Sequence, residues 1–211
     1  MIRIRLFVAL LASTFILFTP TFAQNSRQIL DNTAKRLNGK TMQATFKATT
    51  FANGKNQSGS ATGQIYIKNN KFHIITQPLI TWFDGKTLWQ YVKSSGEVNV
   101  STPTSSELQK MNPYAFINLY KKGYTLSCKN TNLRGKFCYE ITLTAQNRHA
   151  AIPIMIVSID KNYTPLCVRI KNGTQWTRLS IYDLKTGIRM SDSEFRFNSA
   201  DYPEAQVIDL R

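Results

Sequence analysis

The chain has 211 residues, with 27 lysines and arginines against 12 aspartates and glutamates, for a formal net charge of +15. That length allows one domain, or one and a half, with a proper core. The cations are spread along the chain in runs of at most two, which sets a nucleic-acid patch aside.

The chain opens like an export signal. Arg3 and Arg5 form a positive region, Leu6 to Phe18 an apolar run, and Thr21-Phe22-Ala23 supplies small residues at the −3 and −1 positions. Cleavage is expected after Ala23, giving a signal peptide over 1–23 and a single domain over 24–211. The apolar run falls short of the ~20 residues of a membrane span. No cysteine follows it, so the exported product is not expected to be a lipoprotein of the lipobox type itself. Without Arg3 and Arg5 the charge is +13. Such a surface is either plainly solvated or drawn to an acidic membrane surface or partner.

Ser26 to Leu37 reads as a helix capped by Ser26, with Leu30, Ala34 and Leu37 at helical spacing and Asn38-Gly39 as its stop. The period then changes to two. Met42, Ala44, Phe46 and Ala48 alternate with polar residues up to the turn at Asn53-Gly54. Further strands are expected near 57–68, 71–77, 79–83, 87–93 and 97–101. Within "TWFDGKTLWQY", residues 81–91, Asp84-Gly85 predicts a type I′ hairpin. Trp82, Phe83, Leu88, Trp89 and Tyr91 then load both faces of that hairpin, because successive strand side chains point to opposite sides. One face should meet helices. The other should meet the N-terminal segment or a neighbouring surface.

Helical signals interrupt the strands. Thr104 and Glu107 have capping-box spacing, with Leu108 and Met111 as the apolar pair. Asn112-Pro113 opens a second short helix carrying Phe116, Ile117, Leu119 and Tyr120, closed by Lys121-Lys122-Gly123. Strands resume near 124–129, 136–145, 152–159, 165–171, 175–183 and 192–197. The expected fold class is mainly β (α+β). It is an incomplete antiparallel β-barrel of about eleven strands with an N-terminal helix and a central helical lid. Of the three cysteines, Cys128 and Cys138 flank a turn and could bridge across it, leaving Cys167. Alternatively all three are small buried hydrophobes.

Several stretches carry a family resemblance. "TQPLITWFDGKTLWQY" (76–91), "ATFKATTF" (44–51), "NPYAFINLY" (112–120) and "EFRFN" (194–198) resemble segments of the periplasmic outer-membrane lipoprotein carriers, the LolA family. The likeness runs over residues 26–198. It implies an unclosed barrel whose hollow shelters lipoprotein acyl chains in transit from inner to outer membrane. It also implies acylated lipoproteins, an inner-membrane lipoprotein-releasing transporter and an outer-membrane acceptor as partners. The chain is expected to be periplasmic and monomeric, with no cofactor and no nucleic-acid partner.

The resemblance makes Phe46, Phe72, Trp82, Trp89, Tyr91, Phe116, Ile117 and Tyr120 candidate lipid-binding residues, with plain core packing as the alternative for each. In "IKNNKF", 67–72, Asn69 stands where the family commonly has an Arg tying barrel to lid. Lys68, Asn69 and Lys71 are therefore the candidate lid latches, the lysines acting as point charges rather than a planar fork.

Catalysis is not expected. His73 and His149 lie beside no nucleophile signature, and the G-x-S-x-G, H-E-x-x-H, P-loop and Rossmann patterns are missing. Asp84 and Glu97 could be named as a carboxylate pair, and Asp160, Asp183, Asp192 and Glu194 form a loose acidic group. An envelope lipid- or glycolipid-binding protein, a lipoprotein-sensing module and a filled structural protein are the alternatives to a carrier.

Overall fold

The computed structural model describes residues 21–112, 114 and 116–211. The predicted leader lies outside these residues, except that Thr21–Ala23 belong to the first helical turn. The reading of Pro113 as a helix start also lies outside them.

Helix α1 (Thr21–Leu37) buries Ser26, Ile29, Leu30, Thr33, Ala34 and Leu37, an i, i+3, i+4, i+7 stripe. Lys35 and Arg36 sit in its last turn, at the negative end of the dipole. Gly39, at φ 72°, lets the chain leave the helix.

Twelve strands follow: β1 (Met42–Ala52), β2 (Asn56–Lys68), β3 (Lys71–Thr76), β4 (Leu79–Phe83), β5 (Leu88–Val92), β6 (Glu97–Ser101), β7 (Tyr124–Leu133), β8 (Lys136–Ala145), β9 (Ile154–Asp160), β10 (Pro165–Asn172), β11 (Gln175–Thr186) and β12 (Gln206–Asp209). They form one sheet in the order β12-β6-β5-β4-β3-β2-β1-β11-β10-β9-β8-β7. β7 and β12 are its free edges, so the barrel is unclosed. Between β6 and β7 lie α2 (Ser105–Met111) and α3 (Phe116–Leu119). The capping box of Thr104 and Glu107 forms, the Glu107 carboxylate accepting from the Thr104 N–H at 2.7 Å.

Register divides the sheet into two faces. Phe46, Ile65, Ile67, Phe72, Phe83 and Leu88 point inward and share a buried cluster with Leu30, Leu37, Phe116, Ile117 and Tyr120. His73, Trp82, Trp89 and Val100 stand opposite one another on the outer face of β3 to β6.

Besides the start of α1, where Ser26 lies buried inside the helix and does not cap it, four expectations change. Residues 192–197 are not a strand: Asp192–Phe195 is a 3-10 turn. The Glu194 carboxylate takes the Ser191 N–H at 2.6 Å, a local bond that competes with extended pairing. The closing strand is instead β12, parallel to β6. The Asp84-Gly85 connection is not a type I′ turn, because Asp84 does not have the positive φ that turn requires. Residues 84–87 form a longer loop in which Asp84 Oδ1 accepts from the N–H groups of Lys86 and Thr87 at 3.0 and 2.9 Å.

The cysteines are the third change. All three are free. Cys128 pairs in register with Ile141 on the inner face, while Cys138 pairs with Thr131 on the outer face, so no bridge can join them. The fourth concerns the second face of the hairpin. Among the described residues it is covered by the C-terminal strap, residues 188–205. Tyr202 and Phe197 meet Trp82 edge-on, each at 5.6 Å between ring centroids, and Tyr202 lies 4.8 Å from Tyr91.

Candidate functional site

The candidate site is the inner face and the lid across it. Alternation along β1 to β4 sends Phe46 and Phe72 inward. The rings of Phe72 and Phe83 lie 5.1 Å apart. From the other side α3 inserts Phe116, which is 0% exposed, with Ile117. The hollow is thus occupied by the chain's own lid. Beside the lid, a cavity of about 390 Å³ runs between Phe72, Phe83 and Gly85 on one wall and Leu108, Asn112 and Leu119 on the other. A second, of about 300 Å³, lies against Leu37, Met42, Ile67, Tyr114 and Ile117.

A hydroxyl ties the lid to α1. Tyr120, just beyond α3, donates to Asp31 Oδ1 at 2.5 Å, and the Arg27 guanidinium sits 5.9 Å from its ring. Burial, and then this bond, push the Tyr120 phenol well above its ordinary value. Neither Asp31 nor Arg27 was legible as a lid partner. The available signal was a charged pair four residues apart next to the apolar stripe, which a solvated helix face shows equally well. Close by, the Tyr114 hydroxyl is buried with no hydrogen-bond partner, and burial raises its pKa too.

The predicted site residues therefore split. Phe46, Phe72, Phe116, Ile117 and Tyr120 come together on the inner side. Trp82, Trp89 and Tyr91 do not join them, because strand parity puts all three on the outer face, where the strap's aromatics meet Trp82 and Tyr91. The latch candidates are redirected as well. Lys68 donates to the Met190 carbonyl at 3.0 Å and pairs with Asp192 at 2.8 Å, and Lys71 pairs with Asp192 at 2.7 Å. Those contacts hold the strap, not the lid, and the two lysines pull the Asp192 pKa down to about 2. Asn69 lines both lid cavities without a role as a charge partner.

The residues weighed for catalysis are dispersed. Asp84 lies in the β4–β5 loop and Glu97 at the opposite end of β5–β6, where it accepts from Ser95. Asp160 serves its own turn, and Asp183 accepts from Thr45. His73 is stacked on Trp82 at 5.2 Å, with both ring nitrogens buried and unpartnered. Burial lowers its pKa from 6.5 to about 4. His149 is exposed in a turn.

An unclosed sheet with a helical lid on its inner face is the geometry the sequence resemblance implied. A family model described as outer membrane lipoprotein carrier protein LolA matches residues 16–174. The chain belongs to the LolA family. The match stops before β11, so that strand and the strap lie outside it.

Among solved structures, an uncharacterized conserved protein of Thermus thermophilus shares the fold. Its TM-score is 0.57 at 15% identity, covering 88% of this chain and 99% of that one. A DUF1329 family protein of Desulfovibrio piger follows at TM-score 0.50 and 10% identity, covering 82% and 97%. A LolA superfamily protein of Nitrosomonas europaea aligns at TM-score 0.44 and 13% identity, covering 82% and 97%. No curated protein matches the chain. Members of the LolA-like family are carrier or binding proteins of the space outside the cytoplasm. Among the described residues no helix is long and apolar enough to cross a membrane.

Proposed function

We propose that this LolA-family protein is a periplasmic carrier. It takes lipoprotein acyl chains onto the inner face of its sheet and ferries them from the inner to the outer membrane. The observation that carries this reading is the lid. A four-residue helix plugs the apolar hollow with Phe116 and Ile117, and cavities flank it. An acyl chain replaces those two side chains like for like.

The magnitudes suit transport. Each CH₂ withdrawn from water is worth ~0.8 kcal/mol, so a 16-carbon chain gains roughly 13 kcal/mol on full burial. Expelling one Phe and one Ile side chain into water costs about 3–6 kcal/mol. Binding stays favourable, yet the returning lid competes with the cargo and aids release. An inner-membrane lipoprotein-releasing transporter would load the carrier, and an outer-membrane acceptor would unload it.

Native mass spectrometry of protein isolated from an envelope fraction without detergent tests this. Adducts with the masses of acylated polypeptides are expected. Free glycolipid adducts would replace the carrier reading with glycolipid binding. A bare mass, with no uptake from lipoprotein-bearing membranes, would overturn both.

A further inference from the structure

The inner face and the strap account for the apolar surface of β1 to β6. They leave a different surface unused: the outer face of β1, β11, β10, β9, β8 and β7. Register aligns most of it in three rows, and a fourth, of Thr131, Cys138 and Asp160, lies beyond the first. Lys47, Ser180, Cys167, Ser158, Glu140 and Lys129 form the first. Thr49, Arg178, Arg169 and Ile156 lie in the second, and Phe51, Trp176, Lys171 and Ile154 in the third.

Within the first three rows five cations face a single carboxylate, Glu140. It is already shared between Arg169 at 2.6 Å and Lys129 at 3.1 Å. Arg169 and Arg178 stand directly opposite each other on neighbouring strands, an arrangement that costs stability in a sheet. Lys47 and Arg178 are exposed, and the Arg178 guanidinium lies 5.0 Å over the Phe51 ring. Trp176, half-buried, stands opposite Phe51 at the same end.

We propose that this face docks on an anionic lipid bilayer, with Lys47, Arg169, Lys171 and Arg178 against the headgroup charges and Trp176 and Phe51 at headgroup depth. Three features favour a bilayer. The cations spread over adjacent strands ~4.8 Å apart rather than converging on a pocket, so they match an extended surface and not a small ligand. The flanking Trp and Phe offer an apolar body beside cations, the pairing suited to a membrane interface. The patch also lies on the opposite side of the sheet from α3. Docking there leaves the lid uncovered.

Vesicle binding needs no lipoprotein cargo, so its failure and that of the carrier reading are distinguishable. The test uses protein isolated from the envelope, with phosphatidylcholine vesicles and with vesicles containing about one-third phosphatidylglycerol. Two triple variants of equal charge are compared. Lys47→Gln/Lys171→Gln/Arg178→Gln acts on the patch, and Lys35→Gln/Lys110→Gln/Lys121→Gln acts on the helical side. Thermal melting first confirms that both are folded.

Salt-sensitive binding to the anionic vesicles alone is expected, weakened about tenfold or more in the patch variant and far less in the other. Brominated lipid should quench tryptophan emission in the parent and much less in Trp176→Phe. Equal loss in both triples would reduce the effect to net charge and overturn the proposal. So would equal binding to neutral vesicles, no binding at all, or capture of polyglutamate without vesicle binding, which would assign the face to an acidic protein.

Discussion

Two side chains make opposite use of burial without a partner. His73 is held neutral on the outer face, with its pKa at about 4 instead of 6.5. A lowered folded-state value leaves stability intact above pH 6.5. Below that the unfolded chain takes up a proton that the folded one refuses, so stability falls until about pH 4. The loss should be roughly 2 kcal/mol once partial solvent screening is allowed for. Chemical denaturation across this range, compared between the parent and His73→Phe, should show that slope only in the parent. Tyr114 carries an unpartnered hydroxyl inside the lid cluster. Tyr114→Phe removes a buried donor while keeping the ring, so it should raise stability by about 1 kcal/mol. A lower melting point would mean that the hydroxyl has a partner.

At the scale of elements, the lid is held by packing and by one bond of note. Phe116→Ala should cost about 3–5 kcal/mol, because the residue is fully buried among large neighbours. A carboxylate there would cost the fold itself, which makes Phe116→Glu a poor probe of binding. Tyr120→Phe is the sharper test. It removes the bond to Asp31 and leaves the ring in place. Stability should drop by about 1–2 kcal/mol, and hydrogen exchange should quicken over residues 116–120 while β1 and β2 stay protected. Unchanged exchange there would show that packing alone closes the lid.

For the molecule as a whole, the strap decides whether a two-faced sheet is tolerable. Each of its ion pairs has one solvent-facing partner: Asp192 is 61% exposed against Lys68 and Lys71, and Arg196 is 62% exposed against the largely covered Asp84. Such pairs are screened by solvent and contribute little. Phe195, by contrast, is fully buried. Lys71→Ala should therefore barely shift the melting point. Phe195→Ala should lower stability by about 3–5 kcal/mol and increase binding of an apolar dye, as Trp82 and its neighbours lose their cover. The free thiols give a further whole-chain test: reductant should change neither mass nor melting temperature, because Cys128 and Cys138 point to opposite faces.

Local chemistry was enough to show the alternation of β1, the stripe of α1 and the capping box before α2, since each depends only on residues within a few positions. It also showed that the 81–91 hairpin is apolar on both sides, while the family was legible only through the resemblance of four stretches, which the match over residues 16–174 bears out. It could not show which side faces the lid. Parity separates Phe83 and Leu88 from Trp82, Trp89 and Tyr91, but only the position of the helices gives one set the name inner. The partners of Lys68 and Lys71 were hidden for a similar reason, because Asp192 lies more than a hundred residues away. The Tyr120–Asp31 bond spans 89 residues. The strap read as a strand because its Phe195 and Phe197 alternate. Only in the folded chain does a turn closed by Glu194 on the Ser191 N–H, packed on a ready-made aromatic face, outcompete extended pairing.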